Sequence, residues 1–180
     1  MKRFLFLMMI LPAGILISCN DKSGPSAAAQ KNLDAMHGVN ACIQSKDFSK
    51  LGDYIAEDGV DHAGEQGDLK GLAAIKAELT KMVAGSKDEK MTVIKELADD
   101  EYVMSWQNYS GTAVTDYMGM KAGDKFNMSA IEVAKFKDGK AIEHWSFMQP
   151  SDMMKMMPQQ PAPAMKMDTA KAMQAQPEKK

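Results

Sequence analysis

The spacing of apolar residues changes at Lys90. Before it they recur at helical intervals, first as Leu33, Met36, Val39 and Ile43, then as Phe48, Leu51 and Ile55, and then as Leu72, Ile75, Leu79 and Met82. After it a period of two takes over in "MTVIKEL", "EYVMSWQNYSG", "TAVTDYMGM", "KFNMSAIEVAKF" and "KAIEHWSF". These are five strand candidates, divided by turn signals at Asp99-Asp100, Gly111, Gly123-Asp124 and Asp138-Gly139. Helices followed by consecutive hairpins predict an α+β domain, with the helices on one face of an antiparallel sheet. Asp47 is placed to cap the second helix and Gly85 to end the third. Between those helices "DGVDHAGEQGDLKG" reads as a polar loop carrying His62.

The segments on either side of this domain have a different composition. Lys2-Arg3 and the uncharged apolar run Phe4 to Ile17 fit a secretory signal, being too short for a spanning helix of about 20 residues. The run ends in Leu16-Ile17-Ser18-Cys19, which resembles the lipobox of bacterial lipoproteins. That resemblance implies transfer of diacylglycerol to the Cys19 sulfur, cleavage just before Cys19, acylation of the new amine with a fatty acid such as palmitate, and a membrane-anchored lipoprotein of the bacterial cell envelope. Cys42 is then left without a partner and is expected to be a buried thiol on a helix. Residues 20–30 read as a polar tether. Every aromatic residue beyond the signal lies between Phe48 and Phe147, whereas residues 151–180 hold prolines, lysines and seven of the 18 methionines. The expected organisation is a signal peptide at 1–18, a lipidated tether at 19–30, one domain at 31–150 and a disordered Met/Pro/Lys tail at 151–180. Thioethers at "MMKMM" and "MKM" could take Cu(I), but without His or Cys beside them compositional bias is the simpler reading.

Lys and Arg number 22 against 24 Asp and Glu, for a formal net charge of −2, and no basic stripe appears. Nucleic acid is therefore excluded as the expected partner. His37, His62 and His144 show no metal-ligand spacing, and no cofactor is read from the chain.

The fourth strand candidate holds the most informative pattern. Phe126, Met128, Ala130, Glu132, Ala134 and Phe136 share one face, so a single acid stands within an apolar row. Such an acid is costly unless it is hydrogen-bonded, paired, wet or protonated. It is also a residue type that can transfer protons in an enclosed site. A two-residue turn at Asp138-Gly139 would pair Phe136 with Ala141, Ala134 with Glu143, Glu132 with Trp145 and Ala130 with Phe147. That register puts Trp145 and Glu143 beside Glu132 and turns His144 to the opposite face. Tyr102, Met104 and Trp106 alternate as core or pocket wall.

The ending "IEVAKFKDGKAIEHW", with "SGTAVTDYMGMKAGDKFNM" and "IAEDGVDHAG", resembles the SnoaL-like branch of the nuclear transport factor 2-like superfamily over about residues 31–150. The resemblance implies a cone-shaped curved sheet wrapped round N-terminal helices, a cystatin-like roll with a pocket at its open end. It implies Glu132 at the position of the acid/base aspartate of polyketide cyclases, and His62 at that of a pocket-mouth histidine. Lys135 stands where arginine is usual, and Ala113 where histidine is frequent.

Two functions follow as expectations. One is a lipid-anchored module binding a small, largely apolar molecule between Trp145, Glu143, Trp106, Met104, Tyr102, Met128 and Phe126. The other is an acid/base enzyme of the cyclase, isomerase or dehydratase type, with Glu132 and His62 catalytic. A homodimer is expected through the sheet face opposite Glu132, which this register lines with Ile131, Val133, Ile142 and Met148.

Overall fold

A computed structural model describes residues 24–64, 66–116 and 119–156. Helix α1, Ala27–Ser45, starts where Ser26 Oγ accepts a hydrogen bond from the Ala29 amide at 3.0 Å, a cap worth about 1 kcal/mol. It ends at Lys46 in the left-handed region, with φ of 57°. The short α2, Leu51–Tyr54, runs directly into β1, Ile55–Asp61. Strand β2 (Leu69–Lys70) and helix α3 (Leu72–Ala84) follow. The antiparallel strands are β3, Ser86–Ala98, β4, Tyr102–Ala113, β5, Lys125–Lys137, and β6, Lys140–Met148, with a last helix α4 at Pro150–Met156.

The six strands form one sheet in the order β2-β1-β6-β5-β4-β3. Helix α1 packs against β3, β4 and β6, so the sheet curves around it. Register shifts in β3, between Lys87 and Lys90 and between Val93 and Lys95, are bulges of the kind that bend a strand. Two apolar clusters fill the interior. Cys42, Phe48, Leu51, Ile55, Ile75 and Val83 join the helices to β1, and Ala35, Met36, Val103, Ala134 and Phe136 join α1 to the central strands. Cys42 is buried and free, and burial raises its thiol pKa, as its helical apolar position predicts.

The α+β cone is therefore the observed architecture, with three differences in detail. Ile55–Asp61 is a strand rather than a helix end and loop, and it pairs in parallel with β6, so the sheet is mixed. Ile55 still enters the helical core cluster, which is why its spacing reads as helical. Of the third strand candidate, Thr112 and Ala113 only finish β4, and Val114–Asp116 are irregular. Helix α1 begins inside the segment read as tether, and α4 takes up the first residues of the segment read as tail. The signal, Cys19 and the remaining tail methionines lie outside the described residues.

Candidate functional site

Between α1, α3 and the concave sheet lies a cavity of about 500 Å³. Val39 and Ile43 come from α1, Ile75 and Leu79 from α3, and Phe126 and Ala130 from β5. Among the described residues, six methionines also line it: Met36, Met82, Met91, Met120, Met128 and Met148. Thioether chains are unbranched and polarisable, so this wall can adapt to the shape of an occupant. The lining is mostly apolar, with Glu132, His144, Tyr109 and Ser146 grouped on the sheet wall and further polar residues such as Lys46, Glu89 and Lys90 also lining it.

The turn at Asp138-Gly139 forms as expected, with φ of 55° and 79° and Lys137 opposite Lys140. One step further on, the register shifts. Phe136 faces Ala141, but Lys135 faces Glu143, so Ile142 is an extra residue in β6. Beyond this bulge each side chain exchanges faces. Glu132 pairs with Ser146 instead of Trp145, Ala134 with His144, and Ala130 with Met148. His144, expected to point away, stands at the site, and Trp145 leaves it.

The resulting cluster is tightly bonded. His144 Nε2 lies 3.1 Å from Glu132 Oε2, and His144 Nδ1 lies 2.9 Å from Asp61 Oδ1 on β1. Tyr109 Oη is 2.9 Å from Glu132 Oε1, and the Ser146 hydroxyl donates to the same oxygen at 3.2 Å. Glu132 is thus not a lone acid in an apolar row, because its carboxylate is met by three side chains from two neighbouring strands, β4 and β6. Burial is the strongest single influence on His144 and pulls its pKa down, yet Asp61 and Glu132 together raise it to about 10. Burial likewise pushes Asp61 up, but the bond and charge of His144 hold it below the usual carboxylate value. Tyr109 is raised far above a free phenol, first by burial and then by the Glu132 charge. An Asp–His–Glu line of this kind fixes the ring and aims one carboxylate into the cavity.

The other expected site residues divide. Phe126 and Met128 line the cavity, and so does Glu143. The Glu143 carboxylate, however, is committed to Lys135 Nζ at 3.6 Å and His62 Nε2 at 3.3 Å. His62 does not meet Glu132. Its Nδ1 donates to Asp68 Oδ1 at 3.0 Å, the ring stacks on Trp145 with ring centroids 4.9 Å apart, and its pKa is raised chiefly by the Asp68 bond. Tyr102, Met104 and Trp106 fall on the outer face of β4, because the inward residues are Val103, Ser105 and Gln107, all 0% exposed. Met104 faces Val133 and Trp106 faces Ile131 across β4 and β5, and Val133 faces Trp145. Of the expected outer-face set, Ile131 and Val133 remain, while Ile142 and Met148 line the cavity.

Asp61, Tyr109, His144 and Ser146 are the site residues that sequence reasoning missed. Their one signal is charge. In the unbulged register two carboxylates stand side by side without a cation, whereas one inserted residue brings His144 to Glu132.

A mixed sheet rolled round N-terminal helices, with an acid on its penultimate strand facing an apolar cavity, defines the cone class of α+β proteins. The chain belongs to the SnoaL-like polyketide cyclase family, whose model matches residues 33–159. No curated protein matches it. Solved structures of similar fold include a SnoaL-like polyketide cyclase from Agrobacterium tumefaciens, 14% identical with a TM-score of 0.61 over 69% of this chain and 95% of that one. TsrD from Streptomyces laurentii is 16% identical, with a TM-score of 0.62 over 71% of this chain and 94% of that one. An LEH-like epoxide hydrolase of M. tuberculosis is 14% identical, with a TM-score of 0.59 over 74% and 87%.

Proposed function

We propose that this is a lipid-anchored cell-envelope protein whose cone takes up a small, largely apolar molecule bearing one polar group. The observation that carries the reading is the cavity itself, about 500 Å³, mostly apolar and thioether-rich, with Glu132, Ser146 and Tyr109 hydrogen-bonded together on its wall. Ligand cavities are commonly of this size and pattern, a hydrophobic wall with a few placed polar groups that fix orientation. The occupant's polar group would sit at Glu132 and its hydrocarbon against Met128, Met148 and Leu79. The test is mass spectrometry of organic extracts from the purified mature protein. A small apolar compound should be released from the wild type and be depleted from Met128→Trp, which fills the cavity. Equal recovery from both proteins, or none from either together with no uptake of an apolar fluorescent dye, would rule the reading out.

A second reading, general acid/base catalysis at Glu132, is favoured by one specific observation. His144 is itself held by Asp61, and orientation by a third group is the arrangement that activates catalytic side chains. Family membership and the neighbours named as a polyketide cyclase and an epoxide hydrolase support proton-transfer chemistry as a class. In this reading Glu132 takes a proton from, or gives one to, the bound molecule, and Tyr109 and Ser146 hold its carboxylate in place. Glu132→Gln should then retain the ligand and lose turnover by 10²–10⁴-fold, the usual worth of such a group.

A further inference from the structure

The bonds at Glu132 continue away from the cavity, through the interior, to the opposite side of α1. Tyr109 Oη lies 2.9 Å from Glu132 Oε1 and 2.8 Å from Gln107 Oε1. Gln107 Nε2 lies 2.9 Å from Ser105 Oγ, and Ser105 Oγ lies 3.0 Å from Glu96 Oε1. Glu96 Oε2 ends the line 2.7 Å from His37 Nε2 on α1, whose side chain is 52% exposed. Ser105 and Gln107 are 0% exposed, so water cannot stand in for a missing partner there.

Counting hydrogens exposes a constraint. From Glu132 to Glu96 there are four links: Glu132 to Tyr109, Tyr109 to Gln107, Gln107 to Ser105, and Ser105 to Glu96. The residues between the ends supply three hydrogens, one from the Tyr109 hydroxyl, one from the Gln107 amide and one from the Ser105 hydroxyl. An amide turned one way donates to Ser105 and accepts from Tyr109, and turned the other way it does the reverse. His144 and Ser146 at one end, and His37 at the other, use hydrogens of their own and do not alter the count. Two ionised carboxylates would leave two oxygens facing each other without a hydrogen in a closed interior, which costs free energy.

We propose that Glu132 and Glu96 share one proton through Tyr109, Gln107 and Ser105, and that the orientation of the Gln107 amide sets which carboxyl holds it. With the Gln107 carbonyl toward Tyr109, the acid hydrogen is on Glu132, Tyr109 donates to Gln107, and Ser105 donates to ionised Glu96. With the amide reversed, Tyr109 donates to ionised Glu132, Gln107 donates to Tyr109, Ser105 donates to Gln107, and the acid hydrogen is on Glu96. Between the two arrangements the Glu132 O–H bond breaks and its proton leaves to solvent in the cavity, a Glu96 O–H bond forms with a proton taken from solvent beside the exposed His37, and the hydroxyls and the amide only rotate. The charged and titratable groups facing the ends are His144, backed by Asp61, at Glu132, and His37 at Glu96. Gln107 is thus a positioning residue. His37, on the surface, can bias whether the cavity presents an acid or a base. The functional meaning rests on the acid/base reading of Glu132, whereas the hydrogen count does not.

The test is therefore made without substrate. Infrared spectra of the full mature chain, taken in water and in heavy water at neutral pH, report a carboxylic acid C=O stretch that shifts on deuteration. The wild type should show one such band from this chain. Glu132→Gln and Glu96→Gln should each abolish it, because either amide supplies the fourth hydrogen from one end. Gln107→Leu should abolish it too, since it cuts the chain into Tyr109–Glu132 and Ser105–Glu96, each with its own hydrogen. If Gln107→Leu fails to fold, the two end variants decide the question. A wild type without the band, or a band surviving any of these substitutions in a folded protein, overturns the proposal. Such a result would leave ligand uptake and turnover to be judged on their own experiments.

Discussion

Asp61 Oδ1 and His144 Nδ1 lie 2.9 Å apart across the parallel pairing of β1 with β6, while the far ring nitrogen of His144 reaches Glu132 at 3.1 Å. A strand that breaks the antiparallel order thus supplies the residue that fixes the site's histidine. The pair is largely shielded, with side-chain exposures of 14% for Asp61 and 31% for His144. Removing one partner of a shielded, hydrogen-bonded pair costs about 3–5 kcal/mol, and the partial exposure of His144 places Asp61→Asn toward the lower end of that range. Chemical denaturation of the mature domain checks this, and an unchanged midpoint would show that Asp61 contributes nothing to the fold.

The same pair makes stability depend on pH. His144 is raised from 6.5 to about 10. Its contribution is therefore fully present below about pH 6.5 and is lost as pH rises through about 10. Asp61 is lowered, so its contribution is present above the unfolded value of 3.8 and is lost as pH falls through the folded one. Melting temperature should be highest between these limits. In His144→Gln the alkaline decline should disappear and the melting temperature at neutral pH should drop. Parallel alkaline arms in the two proteins would refute the assignment of that decline to His144.

Much of the cone was legible from periodicity, because α1, α3 and the hairpins present clean faces to the two core clusters. The site was legible only in part. Glu132 stood out as an acid in an apolar row, but its partners depended on one inserted residue that alternation cannot show. Deleting Ile142 tests the resulting register. Deletion removes the extra residue but leaves Lys135 opposite Glu143 and Glu132 opposite Ser146, now in an unbulged ladder, so His144 should stay between Glu132 and Asp61. The cooperative melt and the downfield His144 ring signals in NMR spectra should therefore survive. A folded deletion variant that loses those signals would show that the register beyond Ile142 does not set the site. The inward turn of Ser105 and Gln107 was hidden for a related reason. On β4 the apolar residues Met104 and Trp106 face outward, so hydrophobicity points to the wrong side.

The anchor is tested apart from the fold. Cys19→Ser should leave the precursor uncut by the lipoprotein peptidase and unlabelled by a clickable palmitate analogue. Labelling equal to that of the wild type would remove the lipid from the account, while the domain beginning at α1 would stand unchanged.

The outer face of the sheet supplies the last prediction. Leu97 and Phe147 are 61% and 58% exposed there, and Met104, Trp106 and Ile131 are each more than two-fifths exposed. Across the strands Leu97 faces Met104, Met104 faces Val133, and Val133 faces Trp145, while Trp106 faces Ile131 and Ile131 faces Phe147. These residues form two adjoining apolar rows with no helix of the described chain over them. Contiguous patches beyond a few hundred Å² are uncommon on monomers and usually mark contacts. A flat face repeated on a second copy can cover itself about a two-fold axis, with no partner chemistry other than its own. His62, stacked on Trp145 and tied to Asp68 and Glu143, would stand at the rim, where polar groups are tolerated. The expected species is a dimer by light scattering at tens of micromolar. Phe147→Glu should convert it to a monomer that still folds, since the Phe147 side chain faces away from both core clusters. A wild type that stays monomeric over that range would leave the face without a self-partner. A dimer untouched by Phe147→Glu would place the contact elsewhere on the molecule.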